Sequence, residues 1–261
     1  MTVEHPPSTT LLGEDDPPPF RATHGGSTSP FFITCDHAGS RLPRALGTLG
    51  LSPAELTTHV AWDIGAAGVS EKLAAALDAF VILQTYSRLV IDCNRPLDAP
   101  SSIVQQSELT LVPGNESLSA IDAEMRARAV FYPYHERIRQ ELDRRDAQKQ
   151  PTIFIAMHTF TPRFLGVARP WHAGVLYQRD PRLGHALLAL LRRENGLVVG
   201  DNEPYSVSDL TDYGIVHYGE RRGIPHVELE IRQDLVSDDA GQAAWVERLA
   251  PLLREASSAL L

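Results

Sequence analysis

Polar side chains that could do chemistry follow three apolar segments, where buried strands are predicted to end. Asp36 and His37 come directly after the first apolar run, His158 follows a second, and Glu230 lies near the end of a third. In open α/β sheets, functional sites gather at the carboxyl ends of the strands. Two imidazoles and a carboxylate are the ligands of a catalytic zinc, whose open position holds the water that becomes the nucleophile. The pattern therefore indicates a metal-dependent hydrolase, although a single histidine is more often merely buried or capping.

Asp63 is a further candidate ligand. It lies immediately before a predicted helix, where an N-cap is the commoner role of an aspartate. His59 lies four residues earlier, and a continuous helix would place both side chains on one face. From the residues alone, either one is a possible ligand.

Two acidic residues alternate with apolar ones near the end of the chain. In a strand, Glu228 and Glu230 share one face with Arg232. Charged side chains along one face of a strand are usually exposed to solvent. In a central strand, burying the carboxylates would cost free energy unless they have partners or a catalytic role. A glutamate beside an activated water is a usual general base.

Arg88 and the pair Asn94-Arg95 flank a short apolar segment. The planar guanidinium suits a carboxylate, and the asparagine amide adds a donor and an acceptor. The same side chains could instead form surface ion pairs with Asp92 or Asp98. The composition of the segment favours neither reading.

The elements that must position these residues alternate between strands and helices. The predicted strands are 31–35, 80–84, 89–93, 152–157, 175–177, 197–199 and 226–231; a short helix is predicted to begin after Ser52, and the longer predicted helices are 64–77, 119–146, 181–195 and 240–261. Pro133 and Pro251 are expected to kink or divide the helices that contain them. This alternation predicts a single α/β domain with a mixed, mostly parallel sheet and helices on both faces.

Composition excludes several functional classes. The 261 residues are 43% hydrophobic and carry a formal net charge of -9, which disfavours a nucleic-acid-binding protein. No run reaches the roughly 18 apolar residues of a membrane helix, and no signal pattern is present at the start. Cys35 and Cys93 are too few for a disulfide framework. We therefore expect a cytoplasmic, soluble protein without a membrane partner.

Two segments lack a regular pattern. Residues 1–30 are rich in proline and are predicted to form a tail or an arm, so that the catalytic domain covers 31–261. The loop at 96–117 is long enough to be either a lid or an inert surface excursion.

Five motifs resemble the N-formylglutamate amidohydrolase family, in one order along the chain and over about residues 31–240. They are CDHAGSRLP (35–43), WDIGA (62–66), SRLVIDCNRP (87–96), MHTF (157–160) and EIRQDL (230–235). The resemblance implies a phosphorylase/hydrolase-like α/β fold related to the zinc carboxypeptidases, with one Zn²⁺ per chain. It also implies cleavage of the amide of an N-acyl amino acid. The substrate would be N-formyl-L-glutamate, giving L-glutamate and formate, a late step of histidine degradation.

The same resemblance implies roles for individual residues. His37 and His158 match the metal-site histidines, and Asp63 is chosen as the carboxylate ligand. The wider zinc carboxypeptidases use His-x-x-Glu, and here Ser40 stands in place of that glutamate. The alternatives for the third ligand are Asp36 and His59.

Glu230 matches the catalytic glutamate, which would take a proton from water and pass it to the leaving nitrogen. The side chains expected to bind the anionic substrate are Arg88, Asn94, Arg95, Arg232 and His217, with Tyr213 as a further candidate. Their local positive charge would let an acidic protein bind an anion.

Two other functions fit the same residues. The zinc site could act on another N-acyl amino acid or on a peptide, and the number of arginines facing the substrate would distinguish these cases. The fold could also serve a metal-free binding protein, which elemental analysis would identify. The oligomeric state does not follow from the sequence.

Overall fold

Runs of buried, mostly apolar residues form the central strands of this protein. The structure is a computed structural model that describes residues 10–261. Its strands are β1 (Phe20–Thr23), β2 (Phe31–Cys35), β3 (Phe80–Gln84), β4 (Gln106–Ser107), β5 (Thr110–Leu111), β6 (Ile153–Phe160), β7 (Arg163–Phe164), β8 (Val167–Ala168), β9 (Ala173–Leu176), β10 (Val199–Asp201) and β11 (His226–Arg232).

The main sheet has the strand order β1-β3-β2-β6-β11-β9-β10. Strands β3, β2, β6 and β11 are parallel to one another, whereas β1 and β9 run antiparallel to their neighbours β3 and β11. The short pairs β4-β5 and β7-β8 are separate hairpins. The predicted mixed, mostly parallel sheet is therefore confirmed, and the carboxyl ends of its four parallel strands lie at one edge.

Helices cover both faces of the sheet, as predicted. They are α1 (Pro53–Leu56), α2 (Ala66–Leu77), α3 (Ala120–Arg126), α4 (Tyr132–Ala147), α5 (Arg182–Leu191) and α6 (Asp239–Ser257). Buried side chains of α2, α5 and α6 form one core with one face of the strands, and those of α4 form a second core with the opposite face. Ser52 closes the predicted capping box with Glu55 at the start of α1.

The alternation of side chains along β11 places its acidic residues. Val227, Leu229 and Ile231 belong to the core against α2, α5 and α6. Because successive side chains point to opposite faces of a strand, Glu228 and Glu230 lie on the other face, where α4 packs. Both carboxylates are buried there.

Some predicted elements differ from the observed ones. The helix predicted at 119–146 is divided into α3 and α4 by a π-helical segment, Ala127–Phe131, that ends just before Pro133. Helix α6 continues through Pro251. Of the predicted tail, residues 1–9 lie outside the described residues, and part of the remainder, Phe20–Thr23, is the edge strand β1.

The strand predicted at 89–93 is wrong: this segment forms turns. The guanidinium of Arg126, which is 2% exposed, donates to the carbonyl oxygens of Val90 (3.0 Å) and Gly114 (3.1 Å). Asn115 donates to the carbonyl oxygen of Leu89 at 2.9 Å. These side chains supply the hydrogen bonds that a strand would have obtained from a neighbouring strand.

We expect the Arg126→Leu variant to lose about 2–4 kcal/mol of unfolding free energy, because buried carbonyl groups would lose their donors. Urea unfolding measures the loss. The matched control is Arg128→Leu, an exposed arginine of the same helical stretch that pairs with Glu124. We expect that control to change stability by less than about 0.5 kcal/mol. Equal stability of the two variants would contradict the structural role of Arg126.

Among residues 10–261, no helix combines the length and the apolar character that crossing a membrane would require.

Candidate metal centre and active site

The three polar strand ends meet at the carboxyl edge of the parallel strands. His37 lies just beyond β2, and His158 lies near the end of the adjacent strand β6. In the register of β6 and β11, Glu230 is the direct partner of His158. Strand pairing thus brings together residues that are far apart in the chain.

His37, Asp63 and His158 form a buried cluster in which one ligand atom of each lies within 4.8 Å of the others. Asp63 Oδ2 is 3.4 Å from His37 Nδ1 and 3.0 Å from His158 Nδ1. Both Nδ1 atoms therefore approach the same carboxylate oxygen. The other oxygen, Oδ1, accepts from the guanidinium of Arg88.

Asp63 is held by the backbone of both histidine segments. Its N–H donates to the carbonyl oxygen of His37 (2.9 Å), and its Oδ2 accepts from the N–H of Thr159 (3.2 Å). It is not the N-cap of α2, because that position is Gly65, with φ 86°. A Cβ at Gly65 would lie 2.2 Å from the carbonyl oxygen of Val236, so only glycine fits this turn.

Each histidine has a carboxylate beside its second nitrogen, which the sequence alone did not assign. His37 Nε2 is 2.7 Å from Asp92 Oδ1, and His158 Nε2 is 3.5 Å from Asp36 Oδ2. Carboxylates in this position orient metal-binding imidazoles and fix their tautomer. Asp36 thus lies behind His158 rather than among the three clustered groups.

These residues fit a zinc-type cation in donor type and in charge. Two imidazoles and one carboxylate are a catalytic zinc ligand set. More carboxylates than arginines surround the cluster, and Glu230 Oε2, which is buried in the same cavity, has no hydrogen-bond partner among residues 10–261. Burial and the charge of Arg88 lower the pKa of His37 to about 4. Burial also acts to lower the pKa of His158, but the carboxylates of Glu228, Asp36 and Glu230 outweigh it and raise that pKa to about 10.

The two glutamates of β11 are suited to hold a proton. Burial raises the pKa of Glu230 to about 8, and the charge of Glu228 adds to the rise. Burial and the nearby Asp212 raise the pKa of Glu228 to about 7. Glu230 Oε2 is buried and has no hydrogen-bond partner in the described part of the chain, so this carboxylate can accept a proton from a molecule in the site.

A polar cavity of about 660 Å³ opens over the cluster. The side chains lining it include the three clustered groups, both glutamates of β11, and the basic or amide residues Arg88, Asn94 and Arg95. Asn94 Oδ1 accepts from the N–H groups of Tyr213 (3.0 Å) and Gly214 (3.1 Å). These contacts use only its oxygen, and they tie the Asn94 turn to the segment around Tyr213.

Three predicted substrate-binding residues, Arg232, His217 and Tyr213, are not among the residues that line the cavity. The guanidinium of Arg232 is held by Asp234 at 2.8 Å, because it follows the last buried residue of β11 and turns toward its own loop. The ring of His217 stacks on Tyr213, with centroids 3.8 Å apart. His59, an alternative ligand, does line the cavity, but its Nε2 lies 3.2 Å from Glu108 Oε2 rather than in the cluster. The segment between His59 and Asp63 is a turn and not the continuous helix considered above.

Comparison with known proteins identifies a matching family and proteins of similar fold. The family model described as N-formylglutamate amidohydrolase matches residues 29–237. The crystal structure of a gene product from Agrobacterium tumefaciens is 32% identical in sequence, with a TM-score of 0.93, over 96% of this chain and 99% of that one. No curated protein sequence matches this chain.

A second solved structure, N-formylglutamate amidohydrolase from Ralstonia eutropha JMP134, is 20% identical, with a TM-score of 0.68. The match covers 92% of this chain and 97% of that one. At this identity the likeness shows the shared fold.

Proposed function

Because the chain belongs to the N-formylglutamate amidohydrolase family, a family of amide hydrolases, we propose that it is a zinc-dependent enzyme that hydrolyses N-formyl-L-glutamate to L-glutamate and formate. The observation that supports this most directly is the buried cluster of His37, Asp63 and His158 below a cavity that contains Glu230. Amide hydrolysis, without a named metal or substrate, follows from membership of the family.

His37, Asp63 and His158 would hold the ion. A zinc ion in this ligand set supplies Lewis acidity, which lowers the pKa of water to about 7 and polarises a carbonyl group. Asp92 and Asp36 would keep the two imidazoles oriented, since each lies beside the Nε2 atom of one ring.

Glu230 acts as general base and then as general acid. It takes one proton from the attacking water, whose oxygen forms the new bond to the formyl carbon. It then delivers that proton to the amide nitrogen as the C–N bond breaks, so that glutamate leaves as an amine and the formyl group as formic acid, which gives its remaining proton to the amine and becomes formate. The buried Oε2 atom of Glu230 is suited to this role, because no hydrogen bond within residues 10–261 competes for it.

Arginines of the cavity bind the anionic part of the substrate. Arg95 and Asn94 lie on one turn and can bind the α-carboxylate. The guanidinium of the arginine and the side-chain amide of the asparagine both donate hydrogen bonds to carboxylate oxygens. Arg88, paired with Asp63, lies nearer the reacting groups and can stabilise the negative charge that develops on the formyl oxygen.

The proposal is tested by metal analysis together with a substrate panel. Protein purified without added metal should contain about one zinc per chain. It should release formate from N-formyl-L-glutamate faster than from N-formyl-L-methionine, and it should leave N-acetyl-L-glutamate largely intact. A chelator should abolish turnover, and added zinc should restore it.

Full activity without metal would overturn the zinc assignment. Faster cleavage of another N-acyl amino acid would keep the mechanism and change the substrate. Ligand binding without any hydrolysis would favour the alternative of a binding protein.

A further inference from the structure

Arg169 is an arginine that aromatic rings hold beside the cavity. It directly follows β8, and its Cζ lies 4.7 Å from the ring centroids of both Phe164 and Tyr205. Phe160 lies farther away, at 5.8 Å. Phe164 and Tyr205 both line the cavity, so the guanidinium packs against its wall.

The arginines that line the cavity already have internal partners. Arg88 pairs with Asp63, and Arg95 donates to the carbonyl oxygens of Asn94 and Thr211 and lies near Asp92. Arg169 differs, because no carboxylate of residues 10–261 forms an ion pair with it; its side-chain hydrogen bond is to the hydroxyl of Tyr205. A partly buried guanidinium stacked on rings and lacking a counter-charge is a ready site for an anion.

The charge of Arg169 reaches the reacting groups. Burial raises the pKa of Glu230, and Arg169 opposes that rise together with His158 and Arg88. Burial lowers the pKa of His59, and Arg169 contributes in the same direction. An anion bound at Arg169 would therefore lie within electrostatic range of the candidate base.

Tyr205 extends this anion site. Arg169 Nη1 donates to the hydroxyl oxygen of Tyr205 at 2.8 Å. The hydroxyl accepts in that bond, so its own hydrogen is free to be donated to another acceptor. The guanidinium and the hydroxyl together can offer donors to both oxygens of one carboxylate.

We propose that Arg169, aided by Tyr205, binds the side-chain carboxylate of the substrate and so selects N-acyl amino acids with acidic side chains. This inference rests on the proposed hydrolase function and assigns the residues that would recognise the acidic side chain of its substrate. The α-carboxylate goes to Arg95 and Asn94, which leaves Arg169 as the second cationic subsite. Arg169 is then a specificity-determining residue and takes no part in proton transfer.

The test compares Arg169→Met with the wild-type protein on N-formyl-L-glutamate and N-formyl-L-methionine. Methionine keeps an unbranched stem of similar length against the rings. Because the variant loses a charge-assisted hydrogen bond to the substrate, we expect kcat/KM for the glutamate substrate to fall about 10- to 100-fold, mainly through KM. We expect kcat/KM for the methionine substrate to change less than about 3-fold.

The matched control is Arg163→Met, on β7 of the same hairpin, whose exposed guanidinium contacts the carbonyl oxygen of Gly166. It should leave both substrates unaffected. An equal loss on both substrates in Arg169→Met would indicate a structural role and would overturn the proposal, and so would no loss on either.

A binding measurement separates this inference from the hydrolase proposal. Calorimetric titration with L-glutamate and with L-methionine reports the subsite without any turnover. If wild-type protein binds glutamate more tightly and Arg169→Met removes that preference, the subsite is supported even where no hydrolysis is found. If the wild type shows no preference for glutamate, the subsite is rejected even for an active hydrolase.

Discussion

Glu230→Gln should retain its metal and lose at least about 100-fold in kcat, the usual contribution of a general base. The amide keeps the size of the carboxylate but cannot accept a proton from water. Because Glu230 is not one of the three clustered groups, metal content should stay at the wild-type value. Steady-state formate release and elemental analysis of the same preparation give the two quantities.

The comparison variant is Glu228→Gln, the other buried glutamate of β11 in the cavity. Near-normal turnover of Glu230→Gln, with a collapse in Glu228→Gln, would transfer the role of base to Glu228. Loss of metal from Glu230→Gln would instead show that Glu230 holds the ion.

The second large effect is expected for His37→Ala. Removing one imidazole from the cluster should lower metal content after dialysis to well below one ion per chain. Lewis-acid activation contributes several kcal/mol to such reactions, so hydrolysis should fall roughly 1,000-fold or more. Inductively coupled plasma analysis and formate release measure the two losses.

His59→Ala is the matched control, since His59 lines the same cavity but pairs with Glu108 outside the cluster. It should keep its metal. Retention of metal and activity by His37→Ala would defeat the assignment. Loss of metal from His59→Ala would make His59 the ligand in place of Asp63.

Much of the fold and the grouping of the central residues could be predicted because local patterns encode them. Apolar runs ending in His37 and His158 identified strands that share a carboxyl edge. The alternation of acidic and apolar residues around Glu230 indicated a strand with two carboxylates on one face, which would need partners or a catalytic role if buried. The structure brings these three residues together with Asp63, while their catalytic roles stay predictions.

The features that were missed depend on contacts between distant segments. The turns at 89–93 are held by two buried side chains from a distant part of the chain, Arg126 and Asn115, which supply hydrogen bonds in place of strand pairing. Asp92 appeared only as a possible ion-pair partner, because its approach to His37 is set by tertiary structure. Arg169 carried no local signal, since its aromatic neighbours Phe164 and Tyr205 are separated by 40 residues.

The order of strands in the sheet has a consequence for the synthesis of the protein. Residues 37, 63, 158 and 230 meet only because β2, β6 and β11 become neighbours. During translation, the candidate base leaves the ribosome after His37, Asp63 and His158, so a nascent chain would lack it until β11 has inserted beside β6. Proteolytic fragments that end before β11 would lack the candidate base as well.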